Sequence, residues 1–558
     1  MAFGSLRCLI TVAALFVAAL FVAAHCVAPA FAHDAPPTGT ASAAGPALDR
    51  GLGSQQHPVT THHRLAQAWF DQGLRLVFAF NHQAAIASFE RAATIDPDLA
   101  MAHWGIALGL GPNYNMPMSP ESHQKAYAAL QRAIALESRA SPAERAYIDA
   151  LTQRYSEKSD ADIAPLSLAY KYAMGELVHR YPNDVDAKVL YAESLMDLHP
   201  WKLWSRDGTP NEGTQEIVTV LEGVLARQPN HIGAIHYYIH AVEASERPEK
   251  ALPYARRLPS LAPSAGHLVH MPAHTYIRTG RYVEAADINE AAARADERLI
   301  AAGVEGDYLV GYYGHNLHFI AVCSAIAGNS ARALAAAEKL FAYQAPRIRE
   351  SPWVDGFLYT PELVRVQFGR WSEILARPEP AFEAPMTGAL WLFSRTLALA
   401  ATGRTGEAIA ERAKFVAAVE TIPKTLDAGN NSARAMFAVA VPYLDGRLAL
   451  IDGNHAGAIS HLRQAVAAED ALAYDEPPTW YLPSRQALGA ALLAAGDLPA
   501  AEQVFRDDLA VNRESGRALF GLRAALAGQG RTREAAAVQT QFAHAWRTAD
   551  VTLATSAL

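Results

Sequence analysis

From Leu65 onward, apolar residues recur at i, i+3 and i+4 with polar residues between them, and Gly or Pro interrupts at short intervals. That period belongs to helices with one buried face, and no stretch alternates as a half-buried strand does. The pattern predicts an all-α chain of short helices joined by tight turns. One apolar run stands apart at the start: Arg7 precedes Cys8, Leu9 and Ile10, then Ala, Val, Phe and Leu continue to about Ala24. Ala30, Phe31 and Ala32 follow as an A-x-A cleavage signature. Residues 1–32 therefore read as a secretory signal peptide cleaved near Ala32, in preference to an N-terminal membrane anchor. The expected location is periplasmic or secreted, with no stable membrane span after cleavage. Residues 33–60 read as a flexible N-terminal segment, Pro/Gly/Ala/Ser/Thr-rich as far as about Gln56.

Composition narrows the reading. In 558 residues, 51% are hydrophobic and 19% charged, which excludes a disordered chain. With 48 basic against 56 acidic side chains the formal charge is −8, so nothing favours a nucleic-acid partner. Cys8 and Cys26 fall in the signal segment, leaving Cys323 without an internal partner after cleavage. The fold must rest on packing.

A repeat then emerges. Trp69, Gly73, Ala85, Phe89 and Pro97 occupy the offsets of a tetratricopeptide (TPR) unit of about 34 residues, while Gln72 and Leu76 depart from it. Gly446, Gly453, Ala458, Leu462 and Ala465 repeat the register, as do Gly489, Gly496, Ala501 and Phe505, and less fully Gly403 and Ala408. Small residues at these offsets let paired helices approach, and Phe89 is placed to fill the gap between units. The chain resembles the TPR superfamily over nearly all of the mature sequence, most weakly between Ser138 and Pro182. The resemblance implies an α-solenoid of antiparallel helix pairs, superhelical with a concave groove. It divides the chain into N-terminal units (61–184), central His-rich units (185–347), C-terminal units (348–550) and a tail (551–558).

The chemistry is concentrated in the central units. Eight of the 21 histidines lie between His231 and His318. His236 and His270 share one repeat position, which His318 also takes in the third unit. His240 and His274 share a second position, and His267 and His315 a third. Residues spaced three or four apart share one helix face. Glu243 continues that stripe beside His240, and Glu193 and Asp197 bring carboxylates from the preceding unit. The TPR resemblance implies that the stripe faces the groove.

Packed helices lie about 8–10 Å apart, so imidazoles from neighbouring first helices can meet at one ion. Neutral imidazole nitrogens with carboxylate oxygens suit a transition metal, Fe, Cu or Zn, rather than calcium. The expected metal ligands are His236, His240, Glu243, His267, His270, His274, His315 and His318. Glu193 or Glu243 is the expected general base. These exceed one ordinary coordination shell, so either two ions bind or some residues orient the others. Three functions stay open: a metal-dependent oxidative or hydrolytic enzyme acting on a small molecule or peptide, a non-catalytic scaffold gripping a peptide or partner protein, and periplasmic metal storage or delivery.

Other features add less. Residues 231–240 and 266–274, with 104–108 and 474–480, also look like strings in a group of bacterial secreted TPR proteins; this supports the architecture and no reaction. The loop 111–117 reads as a Pro/Asn turn that could project polar groups or Met into the groove. Residues 474–480 read as a rigid acidic, Pro-rich connector. Tyr237, Tyr238, Tyr276, Tyr312 and Tyr313 read mainly as packing, and Cys323 falls off the histidine stripe. Neither a phosphate-binding loop nor an H-E-x-x-H string is present.

Overall fold

A computed structural model describes residues 47–158 and 160–556. The signal-peptide reading of residues 1–32, its cleavage point and the start of the 33–60 segment fall outside the described residues. Helical hairpins follow one another along the chain: Arg64–Phe78 packs on His82–Ile95, Ala100–Gly109 on Pro120–Ala135, Gly314–Ile326 on Ser330–Gln344, and Ala433–Ile451 on His455–Asp470. First helices also touch the next first helix, as Arg64–Phe78 touches Ala100–Gly109 and Ser484–Ala494 touches Gly516–Gly528. This neighbour-to-neighbour stacking is an all-α solenoid of the TPR kind. Among the described residues, strand is confined to the two-residue pair Asp427–Ala428 and Asn431–Ser432.

Two local devices set the hairpins. Asn81, Asp184, Asn329, Asn454 and Asp497 cap second or first helices, each side chain accepting from the backbone N–H three residues on. Between helices, one aromatic ring locks three elements. A Cβ on Gly73 would stand 2.6 Å from the Phe89 ring, and one on Gly105, in the next unit, 2.5 Å from the same ring. Phe505 does the same between Gly489 and Gly521, at 2.4 and 2.1 Å. The repeat register is thus a steric fit, with a ring where two backbones leave room.

The hairpins differ where proline intervenes. After Ile232–Glu243 the returning helix is cut into Leu252–Ala255 and Leu258–Leu261, each with Pro in its first turn. One hydrophobic core runs mainly through the N-terminal and central units, from Leu52 to Val364, and a second, mainly in the C-terminal units, from Val322 to Val538.

Distant units also meet. Residues 47–60 follow a fixed path across the first and central hairpins: Ser264 N–H donates to Gly51 O at 2.9 Å, and His57 Nδ1 lies 2.8 Å from Asp186 Oδ2. From the other end, Tyr282 Oη donates to Arg513 O at 2.9 Å, and Arg206 pairs with Asp470. Among the described residues, no helix is long and apolar enough to cross a membrane.

Candidate metal centre

Three successive first helices carry the site. Ile232–Glu243 presents His236, His240 and Glu243, all at most 1% exposed. The next first helix is split at Met271 into Gly266–His270 and Pro272–Arg278, because Pro272 has no N–H to continue it. His267 and His270 stand on one piece and His274 on the other, all buried. The third helix, Gly314–Ile326, is entered through a π-helical turn, Leu309–Tyr313, and carries half-buried His315. Such wide turns recur at functional sites because they rotate the following side chains out of regular phase.

Six imidazoles converge there, in two neighbouring triads: His236 with His240 and His267, and His270 with His274 and His315. Within each triad one nitrogen per ring falls within 4.8 Å of the others. The closest nitrogens are His236 Nε2 and His267 Nε2 at 3.1 Å, and His270 Nε2 and His274 Nε2 at 2.8 Å. The triads adjoin, with ring centroids 5.3 Å apart for His240 and His274 and 5.7 Å for His267 and His270.

The other ring nitrogens decide what these contacts mean. His236 Nδ1 lies 2.6 Å from Phe78 O, an acceptor only, so Nδ1 carries the hydrogen and Nε2 a lone pair. His240 Nδ1 donates in the same way to Glu243 Oε1 at 3.0 Å, and its Nε2 meets no hydrogen-bond partner. His270 Nδ1 lies 2.7 Å from Asn289 Oδ1, an orientation fixed because Asn289 Nδ2 donates to Ala285 O. His274 Nδ1 stands 2.7 Å from Glu243 Oε2 and 3.0 Å from Glu476 Oε2, at ion-pair distance but out of hydrogen-bond alignment. A lone pair there would face two carboxylates, so this nitrogen too is protonated. Four rings thereby direct Nε2 away from their fixed acceptors and toward one another.

Lone pairs cannot abut at 2.8 Å without a positive charge between them. In the metal-free protein the charge is a proton. Burial lowers the basicity of His274, but Glu243 and then Glu476 outweigh it and push the ring up to about 10, so its Nε2–H reaches the His270 lone pair. Burial, then neighbouring imidazoles, hold His236, His267 and His315 well below the ordinary value; burial, then His274, does so for His240 and His270. Burial pushes Glu476 up to about 7, against the pull of His274. A transition metal fits the same place. With bonds of about 2.0–2.1 Å, two nitrogens on one ion lie about 2.9–3.4 Å apart, close to the observed separations. Imidazoles whose second nitrogen donates to a carbonyl, amide or carboxylate oxygen are the usual form of a histidine metal ligand.

Aromatic side chains cover the cluster. Phe80 lies over His236, His240 and His267 at 4.4–6.1 Å between ring centroids; Tyr114 and Trp201 pack on His240, and Tyr312 on His267. Phe80 and Trp201 have φ of 54° and 61°, a left-handed backbone that bulky residues avoid. Glu514 alone shares this among the non-glycine described residues, so two of three such positions stand against the imidazoles. Backbone strain of this sort is kept where the surroundings over-determine it, and it clusters at functional sites.

The sequence-predicted residues separate into groups. His236, His240, His267, His270, His274 and His315 come together. Glu243 joins them, its two oxygens turned to the Nδ1 atoms of His240 and His274. His318 does not: it points between Phe357 and Tyr481, and burial lowers it to about 3. Glu193 lies in another buried group with Arg154, Asp197 and Tyr237, pushed up to about 8 by burial and then by Asp197. Asp197 is ion-paired to Arg154 there. Sequence reasoning missed Asn289 and Glu476. Asn289 lies on the second helix, off the stripe. Glu476 comes from the 474–480 segment, where acidic residues beside two prolines were the available signal, and the structure buries its carboxylate. A pocket of about 530 Å³ bounded by Arg434, Phe437, Val441 and His461 lies among C-terminal units, and none of the six clustered histidines lines it.

No family model and no curated protein matches the chain. Among solved structures, the human IFIT1 dimer with m7Gppp-AAAA is similar at 12% identity and a TM-score of 0.32, over 87% of this chain and 91% of that one. Yeast Tom70 is similar at 11% and 0.29, over 85% and 90%. The TPR domain of P58(IPK) is similar at 12% and 0.23, over 84% and 99%.

Proposed function

We propose that this chain is a transition-metal-binding solenoid, with its centre at His236, His240, His267, His270, His274 and His315. One observation carries the reading: imidazoles from three successive hairpins bring ring nitrogens together in two adjoining triads, while fixed oxygens hold Nδ1 of His236, His240 and His270. Glu243 and Glu476 orient and charge-balance the rings. A bound metal would supply Lewis-acid polarisation or, with copper or iron, electron transfer to a small molecule. The half-buried edge at His315 is the side from which such a molecule would reach it. A peptide-gripping role is less supported at this level, because aromatic side chains cover the imidazoles instead of leaving a groove open along them.

The test is metal analysis of the full chain after anaerobic exposure to Zn²⁺, Cu²⁺ or Fe²⁺ and desalting. At least one tightly held equivalent is expected, lost in a His240→Ala/His274→Ala variant that keeps its helical circular dichroism. Less than about one-tenth of an equivalent with every ion would overturn the proposal.

A further inference from the structure

Resting on that reading, we infer that the centre holds a pair of ions, one in the His236/His240/His267 triad and one in the His270/His274/His315 triad, with nitrogen as the protein donor to both.

Donor number and geometry lead here. An ordinary zinc or copper ion takes about four ligands, and reactive sites commonly use three from the protein. Six imidazoles exceed one such shell and divide evenly into two. Ligand atoms on one ion cannot lie more than about twice a bond length apart, roughly 4 Å. The six rings do not form one group within even 4.8 Å; they form the two triads, and Glu243 joins His240 and His274 in a further group across them.

The carboxylates also fall into place. Glu243 places Oε1 on His240 of the first triad and Oε2 on His274 of the second, so one side chain sets the angle of both sets from outside. With both oxygens so engaged, it serves as the shared orienting group rather than as a ligand. The donor set left to the ions is imidazole alone, which suits copper and zinc better than the oxygen-preferring ions. Copper heads the affinity order of the divalent series for such nitrogen sites, which makes Cu²⁺ the probe.

The experiment titrates the metal-free full chain with Cu²⁺, counts bound copper, and measures electron paramagnetic resonance against a spin standard. Two equivalents are expected in the wild type, with a half-field transition or a spin count well below two, because neighbouring Cu²⁺ spins couple. His236→Gln/His267→Gln and His270→Gln/His315→Gln should each keep one equivalent with a full mononuclear signal. Parallel loading with Zn²⁺ should give the same two-to-one change by metal analysis. A wild type saturating at one ion with full spin intensity, lost in both variants, would overturn the pair while leaving the metal centre standing. Two full-intensity signals without coupling would overturn the pairing. Retention of neither metal would overturn the pair, and failure to hold Fe²⁺ as well would overturn the metal centre with it; the wild-type count decides this even if a variant misfolds.

Discussion

His270 and His274 face each other Nε2 to Nε2 at 2.8 Å, one helical turn apart across the proline that splits their helix. The contact is stable because each ring is held from behind, His270 by Asn289 and His274 by Glu243 and Glu476.

Replacing Asn289 by Leu removes the acceptor that keeps the hydrogen on His270 Nδ1 and its lone pair forward. Loss of such an outer support weakens metal binding by about 10–100-fold. Chelator competition with Zn²⁺ should show that loss, with helical content retained. Unchanged affinity would mean that His270 does not bind through Nε2.

Metal binding should release a proton near pH 7. In the metal-free protein His274, pushed up to about 10, is the centre's charged imidazole; the other five rings are held below their ordinary value and are already neutral. Zn²⁺ must displace that proton, so affinity should climb by about a factor of ten per pH unit until the ring is neutral near pH 10. Calorimetry in buffers of different ionisation enthalpy should count about one proton from this ring, and fewer in Glu476→Gln, where one of the charges holding it is gone.

The N-terminal path depends on Asp186, which takes His57 at 2.8 Å and His231 at 3.0 Å. Burial opposes charge on Asp186, but hydrogen bonds from His231 and His57 win and hold it well below the ordinary carboxylate range. Its contribution is therefore present above about pH 3.9 and is lost as pH falls through that depressed value. Burial also opposes charge on His57, yet Asp186 raises it, so the His57 contribution is complete below about pH 6.5 and is lost as pH rises through the raised value. Residues 47–60 should resist proteolysis best between about pH 4 and 6.5. Asp186→Asn should speed cleavage there by roughly tenfold or more, since charge-assisted hydrogen bonds contribute about 1.5–3 kcal/mol.

Gly73→Val should lower thermal stability without touching the metal. Its Cβ would stand 2.6 Å from the Phe89 ring, and overpacking of this kind costs about 1–3 kcal/mol. Differential scanning calorimetry of the metal-free chain should show the drop. A companion Phe89→Leu substitution, which shrinks the side chain that the introduced valine would strike, should recover part of it.

Much of this was written in local spacing. The i, i+3, i+4 apolar period and the Gly73–Phe89 offset follow from helix geometry within one unit, so the helices and their pairing could be read without coordinates. Repetition did the same for the histidines: His236 with His270 and His240 with His274 share register because one unit copies the last, and matched phase on stacked helices leads to a shared space.

What the repeat could not state is where the superhelix meets itself. Glu476 reaches His274 from the C-terminal units, Phe78 offers its carbonyl to His236 from the first, and Asn289 fixes His270 from a second helix. His318 keeps the repeat phase yet turns to Phe357 and Tyr481, and Glu193 joins Arg154 and Asp197. Short-range periodicity determined which rings share a face; the accumulated twist and curvature of the stack decided which of them meet and what holds their protons, because contacts between distant turns depend on every unit between them.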